Sequence, residues 1–164
     1  MERNADQAQS TLGNLSPEDR SVLRQSIACV AEVMTKKVVT LRPEQPVSEA
    51  VSLFAERQFR HLLVVGADGR LAGVLSDRDV LRHCIRKPGI SSPIAEVMTR
   101  NAVSVEPESA VSAAIRLMME QRINCLPVVA KDGKVAGILT TTDLLRALYA
   151  IQYWLEKHAA ALAV

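Results

Sequence analysis

Gly73-Val-Leu-Ser76-Asp-Arg-Asp79 and Gly137-Ile-Leu-Thr140-Thr-Thr-Asp143 are two versions of one motif, 64 residues apart. In both, a glycine and two aliphatic residues lead into a hydroxyl residue, with an aspartate three positions on. That pattern ends a strand and opens a helix. Moving outward in either direction keeps the register. Ala31-Glu-Val-Met-Thr35 recurs as Ala95-Glu-Val-Met-Thr99, Pro43-Glu44 as Pro107-Glu108, and Asp68-Gly69 as Asp132-Gly133. Residues 31–82 laid on 95–146 give 24 identities in 52 positions without a gap. Repetition at a fixed period outranks any local reading of structure. The chain is a duplication.

Each unit reads as β-α-β-β-α. A short extended stretch, Val38–Leu41 or Ala102–Val105, ends at Pro43 or Pro107, since proline breaks regular structure. A helix follows from near Ser48, with Ala50, Val51, Phe54 and Ala55 at helical spacing. Its counterpart carries Ala114, Ile115, Leu117 and Met118. Two strands around an Asp-Gly turn come next, Leu62–Val65 with Leu71–Leu75 and Leu126–Val129 with Val135–Leu139. Asp-Gly between β-branched runs is a strong hairpin signal. A second helix starts at Ser76 or Thr140. The expected fold class is mixed α/β (α+β). It divides into a tail and helix over 1–29, repeats over 30–90 and 91–150, and a helical extension over 151–164. Ser16-Pro17-Glu18-Asp19 is a helix start, predicting a helix that runs into Cys29. Leu145, Leu148, Ile151, Trp154 and Leu155 form one apolar stripe. It suits either the protein's own core or a subunit interface.

The bulk numbers exclude several classes. Hydrophobic residues make up 48% of the 164, so a core is affordable, and aromatics at 3% leave Val, Leu, Ile, Ala and Met to fill it. A net charge of +2 with 23% charged residues does not mark a nucleic-acid binder. Cys29, Cys84 and Cys125 are odd in number and set in apolar contexts, which predicts buried free thiols in a reducing compartment. No apolar run reaches the ~20 residues a membrane helix needs, and Met1–Gly13 has no signal-peptide core. A cytoplasmic location is expected, with no membrane partner. No zinc spacing, nucleophile elbow or Walker loop is present. His83 and Cys84 lie about 100° apart on a helix and do not form a pair, which predicts one core and one surface residue. No catalysis, catalytic cofactor or metal is expected.

A tandem unit that opens with Val-Met-Thr and closes with Gly-x-[Leu/Val]-[Ser/Thr]-x-x-Asp resembles the cystathionine-beta-synthase (CBS) family. The second unit also carries the typical Leu126-Pro127-Val128-Val129, whereas Leu63 stands in the first where the family often has proline. The resemblance covers about residues 30–150. It implies a pseudo-two-fold pair with two clefts that bind adenosine-containing ligands, and pairs that dimerise. It makes the chain a stand-alone module sensing AMP, ADP or ATP and acting on an unidentified protein target in trans. S-adenosylmethionine or NAD are alternative ligands, and a scaffold with vestigial clefts is an alternative role.

The motif chemistry stands beside the resemblance. Ser76 with Asp79, and Thr140 with Asp143, satisfy a capping box without any ligand. The same helix starts offer free N–H groups and partial positive charge to a phosphate. The hydroxyl can then donate to phosphate, and the carboxylate can accept from a ribose diol. The adenine is expected among Val39, Leu62 and Val74, or among Val103, Leu126 and Ile138, and Pro127 completes the second unit's site. The units differ in charge. Arg60, His61 and Arg78 correspond to Asn124, Cys125 and Thr142. Phosphates are therefore expected mainly on the first unit's three groups, with one basic unit serving both clefts, because guanidinium matches phosphate with a bidentate fork.

Overall fold

The computed structural model describes residues 29–87 and 89–162, with the side chains of 158–162 excluded. The helix expected ahead of Cys29 lies outside the described residues. In chain order the elements are α1 (Val30–Val33), β1 (Thr40–Leu41), α2 (Val47–Arg57), β2 (His61–Val65), β3 (Leu71–Ser76), α3 (Asp77–Arg86), a 3-10 turn at Ile94–Glu96, β4 (Thr99–Arg100), α4 (Val111–Gln121), β5 (Cys125–Val129), β6 (Val135–Thr140) and α5 (Thr141–Leu162). The class is the mixed α and β one that the duplication predicts.

Each unit is a hairpin backed by its own helices. β2 pairs antiparallel with β3, and β5 with β6. Both hairpins turn on the glycine of Asp-Gly, with Gly69 at φ 77° and Gly133 at φ 85°. That left-handed conformation costs a side chain dearly and glycine little. Asp68 and Asp132 brace the turns by accepting from the N–H groups of Arg70 and Lys134. Leu63 pairs with Val74 in the same register as Pro127 with Ile138, so leucine in place of proline leaves the strand pairing unchanged.

The units exchange their leading segments. β4, which opens the second unit, pairs with β3 of the first. Reciprocally, Thr35 bridges to Ile138 on β6. Gly73 and Gly137 sit at these crossings. A Cβ at Gly73 would lie 2.7 Å from the carbonyl oxygen of Thr99, and one at Gly137 would lie 2.7 Å from that of Thr35. Close backbone approach, not turn geometry, is what demands glycine in the closing motif.

Strand alternation divides the apolar residues among three clusters. Leu62, Val64 and Leu75 pack with Leu41, Val47 and Ile94 in the first unit's core. Leu126, Val128 and Leu139 pack with Val30, Ala114 and Met118 in the second. Leu63, Val74, Cys125 and Ile138 form the seam between them. His83 and Cys84 are both half-buried, which corrects the expected split into one core and one surface residue. Adjacent helical positions can each lie at the border of a buried face when the helix packs along its side. On α5, Ile151, Trp154 and Leu155 are half-buried, while Leu145 and Leu148 remain 59% exposed. The expected stripe is thus exposed at its start and half-buried farther along the helix.

Candidate functional site

Two cavities open along the seam, and the segment exchange decides what lines them. The larger, about 760 Å³, is bounded by Thr35–Val39 and the start of β2 from the first unit, with Ile138, Thr140 and Asp143 from the second. The smaller, about 360 Å³, is bounded by Thr99, Val103, Cys125 and Pro127 from the second unit, with Val74, Ser76 and Asp79 from the first. Both fall in the range of small-molecule pockets.

This arrangement corrects the expected adenine sets. Grouping within one unit fails because each cleft takes its closing motif from the other unit. Val39 and Leu62 share a cavity with Ile138, and Val103 shares one with Val74. Pro127 faces the cleft of Asp79, not that of Asp143. Leu126 lines neither cavity. It is 0% exposed in the second unit's core, because on β5 Cys125 and Pro127 take the seam face and Leu126 the opposite one.

The closing motifs are capping boxes in detail. Ser76 donates through N–H and Oγ to Asp79 Oδ2 at 3.0 and 2.5 Å, and Asp79 N–H donates back to Ser76 Oγ at 3.1 Å. Thr140 and Asp143 repeat this at 2.8, 2.5 and 3.3 Å. The two carboxylates differ in their other oxygen. Asp143 Oδ1 accepts from Thr35 Oγ1 at 3.0 Å, and this side chain is 6% exposed. Asp79 Oδ1 accepts no hydrogen bond among the described residues and lies 3.6 Å from the Arg82 guanidinium, as Asp143 Oδ1 lies 3.9 Å from that of Arg146; the Asp79 side chain is 22% exposed.

Four residues, Arg60, His61, Arg78 and Asn124, line both cavities. Cys125 lines only the smaller and Thr142 only the larger. Arg60 lies 3.8 Å from Asp77. Arg78 is exposed and makes no ion pair among the described residues. Burial lowers the His61 pKa below its ordinary 6.5. Asp77 and Asp79 oppose that shift, and Arg60 and Arg78 add to it. Burial, with a smaller push from Asp79, raises the Cys125 thiol to about 12. Thr35, Lys37, Arg57, Asp77, Thr99 and Arg122 line the clefts without being foreseen. The threonines close the repeated Glu-Val-Met-Thr, so their recurrence was a usable signal. The cations and Asp77 are not shared between units and gave none.

Among the described residues no cluster of His, Cys, Asp and Glu could hold a metal, and no helix is long and apolar enough to cross a membrane.

A duplicated unit with exchanged edges and two seam cavities defines a pseudo-symmetric pair of repeats. The CBS domain model matches residues 30–86 and 94–150, and the chain belongs to that family. It is 34% identical over 119 residues to the CBS domain-containing protein YhcV of Bacillus subtilis, covering 72% of this chain and 84% of that one. Among solved structures it resembles CBSX2 in complex with AMP, a protein of Arabidopsis thaliana, with 30% identity, TM-score 0.68, and coverage of 76% and 98%. It also resembles the CBS domain pair of MJ0100 in complex with 5′-methylthioadenosine and S-adenosyl-L-methionine, with 25% identity, TM-score 0.70, and coverage of 76% and 98%. The chain spans far less of the enzymes it matches, for example 23% of a homoserine O-acetyltransferase of Methanohalobium evestigatum at 29% identity.

Proposed function

We propose that this chain is a regulatory module that binds adenine nucleotides at its seam and acts through a partner protein in trans. The observation that carries this reading is the convergence of both cavities on Arg60, His61 and Arg78, with an Asp-bearing capping motif in each. Aliphatic walls suit adenine, a carboxylate suits a ribose diol, and guanidinium suits phosphate. A relative holding AMP in the same fold supports it. In this reading the chain catalyses nothing and works in the cytoplasm, and the enzyme names belong to proteins of which it spans about a quarter.

Equilibrium binding of AMP, ADP and ATP to the purified chain tests the reading, with Arg78→Ala as the charge control. Wild type should bind all three. Arg78→Ala should weaken ATP more than adenosine and flatten the salt dependence. Failure of every adenine nucleotide to bind would leave the scaffold role. A second reading, a sensor of S-adenosylmethionine or 5′-methylthioadenosine, is favoured by the ligands of the MJ0100 pair. Tighter binding of those ligands than of AMP would select it. NAD is the remaining adenosyl ligand to include.

We also infer a homodimer. Leu81 and Ile85 on α3 are 61% and 74% exposed, and their repeat equivalents on α5, Leu145 and Tyr149, are 59% and 71% exposed. Both units thus present the same apolar helix face, which suits the isologous contact of a two-fold pair. Sedimentation that gives only a 17.9 kDa species at micromolar concentration would refute this.

A further inference from the structure

The two clefts are not equivalent, although the duplication makes them topologically so. The larger is lined by five cations, Lys37, Arg57, Arg60, Arg78 and Arg146, against one carboxylate, a formal +4. The smaller has Arg60, Arg78, Arg82 and Arg122 against Asp77 and Asp79, a formal +2. The larger has about twice the volume, 760 against 360 Å³. The carboxylates run the other way. Both oxygens of Asp143 in the larger cleft already accept hydroxyl or N–H donors of the protein. In the smaller cleft Asp79 Oδ1 accepts no hydrogen bond among the described residues and lies 3.6 Å from Arg82. The larger cleft therefore carries the greater positive charge, and the smaller carries the carboxylate oxygen that no described donor occupies.

Building on the adenine-nucleotide reading, we propose that the larger cleft is the site for phosphorylated nucleotides and the smaller a site for uncharged adenosyl ligands such as nucleosides. The shared cations enforce the division. A polyphosphate in the larger cleft engages Arg60 and Arg78, and the second unit offers only Asn124, Cys125 and Thr142 in their place. With Arg60 and Arg78 engaged, the smaller cleft keeps Arg82 and Arg122 against Asp77 and Asp79, a formal zero, so a second polyphosphate would meet the first one's charge without a net cationic surplus. An uncharged ligand meets no such repulsion. Both kinds of ligand can then be held at once.

Calorimetry on the full chain with ATP and adenosine tests this. The expected result is one tight ATP per chain, and adenosine binding to the ATP-saturated chain within about three-fold of its tighter affinity for the free chain. Arg57→Met lies in the larger cleft alone and should weaken ATP by roughly ten-fold, the scale of about 1.4 kcal/mol for one charge-assisted contact. It should leave adenosine on the ATP-saturated chain unchanged. Asp79→Asn keeps a capping side chain and should weaken adenosine by about ten-fold or more while sparing ATP. Its melting curve is recorded alongside. If that variant unfolds, the wild-type and Arg57→Met titrations still decide the question. Two ATP per chain of equal affinity, or exclusion of adenosine by ATP, would overturn the proposal while leaving nucleotide binding intact. Absence of binding by either ligand would instead remove the underlying reading.

Discussion

Asp143→Ala should destabilise the fold more than Asp79→Ala, although the two residues hold the same place in their repeats. Asp143 accepts from Thr140 N–H, Thr140 Oγ1 and Thr35 Oγ1, and is 6% exposed. Among the described residues Asp79 accepts from Ser76 N–H and Oγ alone, and it is 22% exposed. Loss of a capping side chain costs about 0.5–2 kcal/mol. A hydrogen bond to a charged group contributes ~1.5–3 kcal/mol, and a buried donor left unpaired costs ~1–3 kcal/mol. These effects overlap, so Asp143→Ala should cost ~2–4 kcal/mol and Asp79→Ala ~1–2 kcal/mol. For a chain of this size each kcal/mol moves Tm by about 2–4 °C. The expected falls are about 4–16 °C for Asp143→Ala and 2–8 °C for Asp79→Ala. Thermal and urea unfolding followed by circular dichroism reads both. The Thr35 contact is isolated by a double-mutant cycle with Thr35→Val, which should give a coupling of ~1 kcal/mol. Equal losses for the two aspartates, or a coupling near zero, would refute the assignment of the extra stability to the exchanged segment.

Three further outcomes follow from the geometry. Gly73→Ala and Gly137→Ala each put a Cβ 2.7 Å from a backbone carbonyl of the exchanged segment. Each should cost about 1–3 kcal/mol by overpacking, and unchanged urea midpoints would contradict the close crossing. His61 has a folded pKa below its unfolded 6.5, so the unfolded chain takes the proton first as pH falls. Stability should be full above about 6.5 and decline as pH drops through that value toward the folded one. His61→Gln should reduce the decline, and an identical pH profile in the variant would sink the claim. Cys125, with its thiol at about 12, has roughly one thiolate in ten thousand at pH 8. Ellman's reagent should therefore label it in the native protein far more slowly than after denaturation, and mass mapping of fast native labelling to Cys125 would show otherwise.

The repeat made most of the fold legible. A gapless match fixes hairpins and helix starts twice over, so a weak local signal in one unit is checked by the other; the leading stretches are less legible, since the second unit's strand is Thr99–Arg100 and of Ala102–Val105 only Val105 bridges, to Val128. α2 starts at Val47 and α5 at Thr141, within a residue or so of expectation. The pairing of clefts was not legible. Periodicity tells which face of a strand is apolar, but not whether Thr35 lies on its own hairpin or on the other unit's, since both satisfy the same backbone groups. Leu126 was a different kind of miss. It alternates with Cys125 and Pro127, so period two already places it on the face opposite Pro127.

The exchange also explains how two similar halves come to do different work. A substitution in one unit of a duplicated chain is felt in both clefts when it lies where the seams meet, and in one cleft when it lies farther out. Arg60 and Arg78 are of the first kind, because each lines both cavities. A single set of cations there leaves the second unit's equivalents, Asn124 and Thr142, without a charge requirement. Lys37, Arg57 and Arg122 are of the second kind, and they set the clefts apart. Thr35 and Thr99 show how little change that takes. Both belong to the recurring Glu-Val-Met-Thr and both stand beside a closing motif, yet among the described residues Thr35 donates to its aspartate and Thr99 does not. One threonine hydroxyl thus occupies the carboxylate in one cleft, although Thr35 and Thr99 pair with equivalent residues, Ile138 and Val74, of the other unit's closing strand.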